Sequence, residues 1–295
     1  MARNLDLDLA AAGGLVRRSA LLALGHSPHA IRRAIAAGVL VVPRRGWLAS
    51  QAAPAPAVRA VALGGVLGGS SALTSYGIWV DDDVPLVVSC APTASRLPPL
   101  AAGERRVWLD PIRLSGGAKQ WRVSVVDALL QLALHVERDS LIASVDSALN
   151  KKLLGGGDFR RFIRALSRRL RSIEREVDAN AMSGTETHMR LALVRAGYRV
   201  ETQVFIPTVG EVDMLVDGWY IVELDSRKHH DGVEQQTTDR RRDGNAVLSG
   251  FAHDRFMWGQ VRHDIDWCLA VVAARMRDGR PDRRPLDRTD GREAS

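Results

Sequence analysis

Cysteine and lysine are the scarce residues of this 295-residue chain, and each scarcity excludes something. The two cysteines, Cys90 and Cys268, stand far apart in sequence. They build no disulfide framework, which suits a reducing compartment, and they offer no paired ligand spacing for zinc. Only four of the 41 basic residues are lysine (Lys119, Lys151, Lys152 and Lys228); the rest are arginine. No run of about twenty apolar residues occurs, so no helical membrane span is expected. The N-terminal MARNLDLDLAAAGG lacks a secretory pattern, and the expectation is a cytoplasmic protein with no membrane partner.

What is present is ordinary in bulk and unusual in charge. Hydrophobic residues at 46% and charged residues at 25% fit a globular protein long enough for two or three modules. A net charge of +7 favours a polyanionic partner through counterion release. Charge alone does not name that partner, because a GC-rich genome enriches arginine in the same way.

The first fifty residues read as one unit. SALLALGHSPHAIRRAIAAGVLVVPRRGWLAS predicts a helix, a turn at Gly25-His26-Ser27, a second helix, a stop at Gly38, then two strands around a basic turn. Ser27 before Pro28 suits an N-cap followed by the first helical position. Ala30, Ile31, Ala34 and Ile35 form the apolar face of the second helix, leaving Arg32 and Arg33 on its surface. A helix-turn-helix with a wing carrying Arg44 and Arg45 would set a helix for the major groove and arginines for phosphates. The Pro/Ala stretch QAAPAPA reads as a linker ending near Ala57. The middle, residues 58–180, alternates strand-like and helical pieces and holds no catalytic grouping. Within it, Arg160 to Arg175 reads as one basic helix whose Phe162, Ile163, Leu166 and Leu170 form a packing stripe. After Met276 the residues lose apolar periodicity and read as a disordered tail, 276–295.

Chemistry concentrates in Val212 to His230, VDMLVDGWYIVELDSRKHH. WYIVELD reads as a buried strand, and alternation puts Glu223 and Asp225 on one side of it. Asp213 lies on the preceding strand. A solvated strand end would account for any one of these acids. Several at the end of an apolar strand are costly to hold together unless a cation joins them, and oxygen-only ligands suit Mg²⁺ or Mn²⁺. Register decides whether they meet. A two-residue hairpin at Asp217-Gly218 would pair Val216 with Trp219 and turn Asp213 away from Glu223. The expectation is a three-residue loop centred on Asp217, with Gly218 left-handed and a bulge, pairing Asp213 with Ile221.

These motifs resemble those of a known family. EVDMLV, then ELD with His229-His230, then Asp239 and Arg242 in DRRRD, then RFMWGQV resemble the nuclease-like domain related to the very-short-patch-repair endonucleases of the restriction-endonuclease superfamily. That resemblance covers about Ser183 to Ala274. It adds Glu186, on a helix SGTETHMRLALVRAGY, to the acidic set. Where the family has a glycine after the second acid, this chain has Ser226; where the wider superfamily has lysine, it has Asp225. The N-terminal unit resembles the winged-helix domain of the abortive-infection type IV antitoxins, with Trp47 in place of the wing tyrosine, and the middle looks like the connector of actinobacterial proteins that join these two modules.

The resemblance implies metal-assisted phosphodiester hydrolysis. Asp213, Glu223 and Asp225 would hold Mg²⁺ or Mn²⁺, Glu186 would reach the same ion or a second one, Asp225 or His229 would orient or deprotonate water, and Arg242 would neutralise phosphate. The expected architecture is α/β (α+β overall): a winged helix-turn-helix at 1–50, an α/β connector at 58–180, a restriction-endonuclease-like mixed sheet flanked by helices at 183–275, and the tail. The expected function is a metal-dependent DNA endonuclease targeted by Arg32, Arg33, Arg44 and Arg45. Against it stand a catalytically inactive DNA-binding regulator or type IV antitoxin-like protein, and an RNA-binding adaptor. DNA is the expected partner, with a toxin or a second copy of the chain as the other candidates.

Overall fold

The structure is a computed structural model that describes residues 4–81, 85–108, 120–207, 209–225 and 233–280, with backbone only for 233–240. The fold is mixed α/β, and the chain divides into two compact units, Met1–Arg175 and Glu176–Ser295.

The first unit opens with α1 (Leu5–Ala11), β1 (Leu15–Arg17), α2 (Arg18–Ala23), α3 (Pro28–Ala36) and β2 (Trp47–Ala49). Ser27 caps α3 by accepting the Ala30 N–H at 3.1 Å, and Pro28 occupies its first turn. Ile31 is buried with Leu9, Val16, Leu21, Leu40 and Leu48. β2 pairs with β1, while the expected first wing strand is reduced to a single bridge, Val41 to Ala49. Val41 and Val42 are exposed, so no burial reinforces a longer ladder there.

The Pro/Ala stretch is not a linker. Its prolines start α4 (Ala55–Ala62), where a missing N–H costs nothing because the first turn has no intrahelical acceptor for it. The Trp121 indole N–H donates to Ala12 O at 2.8 Å, so residues before and after α4 share one body. β3 (Val66–Leu67), α5 (Gly69–Ser75), β4 (Leu86–Cys90) and β5 (Glu104–Trp108) follow; β4 is the middle strand of a three-stranded sheet. α6 (Val125–Leu132), α7 (Arg138–Asn150) and α8 (Gly156–Ala165) close the unit. The expected basic helix breaks after Ala165, where Leu166 is extended, and resumes only as a 3-10 turn, Arg171–Arg175. Phe162, Ile163 and Leu166 are buried, so the break turns the chain while keeping the apolar stripe inside.

The second unit runs α9 (Gly184–Arg195), β6 (Val200–Ile206), β7 (Gly210–Val216), β8 (Tyr220–Asp225), α10 (Val233–Leu248), β9 (Ala252–Met257), α11 (Trp258–His263) and α12 (Ile265–Asp278). Its four strands lie in chain order, the first three antiparallel and β9 parallel to β8. The return to a parallel strand needs a crossover, which α10 supplies. One core joins Met214, Val216, Tyr220, Val222 and Phe256 to Met189, Leu193, Cys268 and Val272 of the helices. A second gathers Val212, Leu215, Ile221 and Ala246. The sheet is covered on both faces, as a strand apolar on both sides requires. α12 continues to Asp278, past the expected start of the tail at 276; residues 281–295 lie outside the described residues.

The β7–β8 hairpin sets the register of the acidic residues. Val216 pairs with Tyr220, leaving a three-residue loop, Asp217 to Trp219, with Asp217 (φ 48°) and Gly218 (φ 77°) both left-handed. Asp217 tolerates that conformation because its Oδ1 accepts the Arg199 N–H at 2.9 Å and its own N–H donates to Arg199 O at 2.8 Å. Gly218→Ala is expected to lower stability by about 1 kcal/mol through the cost of a Cβ at positive φ. A lower urea midpoint at unchanged slope would register it; no shift would mean that the loop relaxes freely.

Candidate active site

The loop is one residue further along than expected, and the correction is informative. Met214 pairs with Val222, so continuing the register sets Asp213 opposite Glu223, not Ile221. A displacement of two residues preserves side-chain alternation, whereas a displacement of one would have reversed it. Pairing between β7 and β8 stops at Met214, and the Asp213 carboxylate takes over: its Oδ2 accepts the Leu224 N–H at 2.8 Å. Asp213 therefore stands in the gap where the strands part, beside Glu223.

Glu186 reaches this place from α9. Ser183, Gly184, Thr185 and Glu186 start that helix with a capping pattern, Ser183 Oγ accepting the Glu186 N–H at 3.2 Å. The Glu186 carboxylate accepts the Met182 N–H at 2.9 Å and is 5% exposed. Capping alone would place it at the surface. Its burial beside Asp213 gives it a second role.

Gln203 joins the two acids, and the sequence reading missed it. Its side-chain amide donates to Glu186 Oε2 at 2.9 Å and to Asp213 Oδ1 at 3.4 Å. It faces Asp213 across β6 and β7, between the pairs Thr202–Met214 and Val204–Val212, at a step where ladder pairing lapses. Its φ is +50°, a strained value for a residue other than glycine, and such strain concentrates at sites that do something. Nothing in VETQVFI marks that glutamine.

The electrostatics follow from burial. Glu186, Asp213 and Glu223 all hold their protons more tightly than ordinary carboxyls, in each case first because burial penalises the charge. Glu223 is pushed up to about 7, by burial and then by the Asp213 charge, with Arg242 and Arg255 opposing. Asp213 and Glu223 interact closely enough to titrate as a pair, the Asp213 charge adding to the effect of burial on Glu223. Asp225 follows at the end of β8, more exposed, with Arg255 Nε 3.8 Å away. On β8's other side, Tyr220 OH donates to Asp254 at 2.9 Å and Arg275 holds the same oxygen at 2.8 Å, tying the strand's start to β9 and α12.

Arg242 is engaged by the protein itself. Its guanidinium donates to the carbonyls of Val209 and Glu211 and lies 3.6 Å from Glu223 Oε1. It is a partner of Glu223 before it is a phosphate ligand. His229 and Ser226 lie outside the described residues, as does the side chain of Asp239. Among the described residues no three His, Cys, Asp or Glu side chains are drawn together tightly enough to hold an ion as they stand. The donor set itself is oxygen-only, of the kind hard divalent cations take, with Arg242 and Arg255 at its rim.

The N-terminal arginines separate into two groups. Arg32 and Arg33 are exposed on α3. Arg44 is half-buried and donates to Ala62 O at 3.4 Å, at the C-terminal end of α4, while Arg45 is exposed in the turn before β2. Among the described residues no helix is long and apolar enough to cross a membrane. No family model matches the chain, and no curated protein matches it.

Proposed function

We propose that the chain is a metal-dependent DNA endonuclease whose chemistry sits in the second unit and whose N-terminal helices, read as a winged helix-turn-helix, engage the duplex. The observation that carries this reading is the gathering of Glu186, Asp213 and Glu223 at the parting of β7 and β8, with all three proton affinities raised. Carboxylates gathered where one is buried and two are half-buried are unfavourable to charge together without a cation, and perturbed groups of this kind mark functional sites. Asp213 and Glu223 would hold Mg²⁺ or Mn²⁺, with Asp225 beside them and Glu186 behind. When bound, such an ion polarises a phosphoryl oxygen and lowers the pKa of an attacking water. The chain's own contribution is positional: Gln203 orients Glu186 and Asp213, and Leu224 N–H fixes the second Asp213 oxygen. Asp225 or His229 would take the proton from the attacking water. Arg242, released from Glu223, would face the phosphate.

Calorimetric titration with Mn²⁺ near neutral pH tests the ion site without reference to DNA. Saturable binding that Asp213→Asn abolishes supports it; equal binding by both proteins removes it.

A second reading rests on one specific observation. The acids already have partners in the chain, Gln203 for Glu186 and Asp213, the Leu224 N–H for Asp213 and Arg242 for Glu223, an arrangement that needs no cation. The second unit would then be an inert module in a DNA-binding regulator. Both readings require duplex binding. Replacing Arg32 and Arg33 by glutamine is expected to weaken it and to flatten the dependence of log K on log salt by about 0.9 per lost phosphate contact. Unchanged affinity and slope would place the DNA surface elsewhere.

A further inference from the structure

Where β1 ends, the turn before β2, the residues after α4 and the end of β4 meet around a half-open cavity of ≈ 340 Å³. Arg17, Arg44 and Arg45 line it together with Trp47, Gly64 and Cys90, and among the described residues no carboxylate does. Neither do these three arginines form an ion pair with any acid among the described residues. Arg44 is held in place: it donates to Ala62 O, and Gly64 leaves the room it needs, since an added Cβ would stand 3.0 Å from its Nη1. The exposed Arg17 guanidinium lies over the Trp47 ring, 4.5 Å from its centre, a cation–π contact at the cavity's edge. Of the three arginines Arg44 is half-buried and Arg17 and Arg45 are exposed, so the cavity presents positive charge to solvent on a wall with no carboxylate among its described lining residues, which suits an anion.

We infer that this cavity binds a small phosphate-bearing ligand of nucleotide size, held by Arg17, Arg44 and Arg45. Arginine forks match the oxygens of a phosphate two at a time, and the cavity falls in the size range of small-molecule sites. This gives Arg44 and Arg45 a ligand other than the DNA backbone. It concerns the first unit and does not depend on the reading of the acidic residues of the second.

The test uses the full chain in the presence of chelator, so that no divalent ion contributes. AMP and inorganic pyrophosphate are titrated by calorimetry against wild type, Arg17→Gln/Arg45→Gln and Asp213→Asn. Arg44 is left unchanged in the main comparison because it also closes the end of α4. Saturable binding of either probe, weakened about tenfold or more by the double substitution and unaltered by Asp213→Asn, is expected from the loss of charge-assisted hydrogen bonds. Binding of neither probe to wild type, or binding that the double substitution leaves unchanged, overturns the proposal. A double variant that loses only duplex DNA affinity overturns it as well, and assigns these arginines to the DNA backbone.

Discussion

Asp213→Asn is expected to lower metal-dependent DNA cleavage by about a thousandfold or more while leaving the protein as stable as wild type, or more so, near neutral pH. An ion's stabilisation of transition-state charge amounts to several kcal/mol, and each 1.36 kcal/mol is about tenfold in rate. The fold is spared because asparagine keeps an oxygen for the Leu224 N–H and removes a charge that burial and Asp225 both disfavour. Cleavage rate and melting temperature measured on one preparation decide the matter. A fall in activity that tracked a fall in melting temperature would mark Asp213 as a structural residue and nothing more.

The second large effect is a pH dependence of stability. The Glu223 carboxyl rises from its ordinary 4.5 to about 7, because it is buried and faces Asp213. The folded state therefore binds this proton more tightly than the unfolded state does. The resulting stabilisation is complete below about 4.5 and is lost as pH rises through about 7. Each pKa unit corresponds to about 1.36 kcal/mol, so the loss is on the order of 1–3 kcal/mol once the coupling to Asp213 is allowed for. For a unit of about a hundred residues, each kcal/mol moves the melting temperature by roughly 4–8 °C. Wild type without metal should lose melting temperature between about pH 5 and pH 8 relative to Glu223→Gln, which lacks the titrating group. Mg²⁺ should restore it at the upper pH and do little at the lower, where protons occupy the ligands. Parallel curves for the two proteins, with or without Mg²⁺, would show that Glu223 does not titrate in this way.

Several elements were legible in the sequence for identifiable reasons. Ser27-Pro28 marks a helix start through local hydrogen bonding, which needs no tertiary context, whereas the helix bearing Glu186 is expected from the family resemblance and its Ser183 cap goes unread. The apolar run ending in Glu223 and Asp225 reads as a buried strand, and β8 occupies it. Elsewhere local chemistry was ambiguous. Prolines that suggest a linker also suit the first turn of a helix, and α4 uses them that way. The basic stretch from Arg160 keeps its apolar stripe while its backbone turns, so periodicity overstates the helix. The hairpin loop depends on Asp217 being tied to Arg199, just before β6, a contact between residues 18 apart in sequence. Gln203 was wholly hidden, because a left-handed glutamine is imposed by the surrounding sheet and leaves no residue signature.

The measurement that bears most directly on the account is conversion of supercoiled plasmid by the purified full chain in Mg²⁺ or Mn²⁺. Conversion to nicked or linear DNA, abolished by chelator and by Asp213→Asn, is the predicted result. Intact plasmid with either ion, under conditions where the chain still binds duplex DNA, would contradict it and leave the acids of β7 and β8 as part of an inert module.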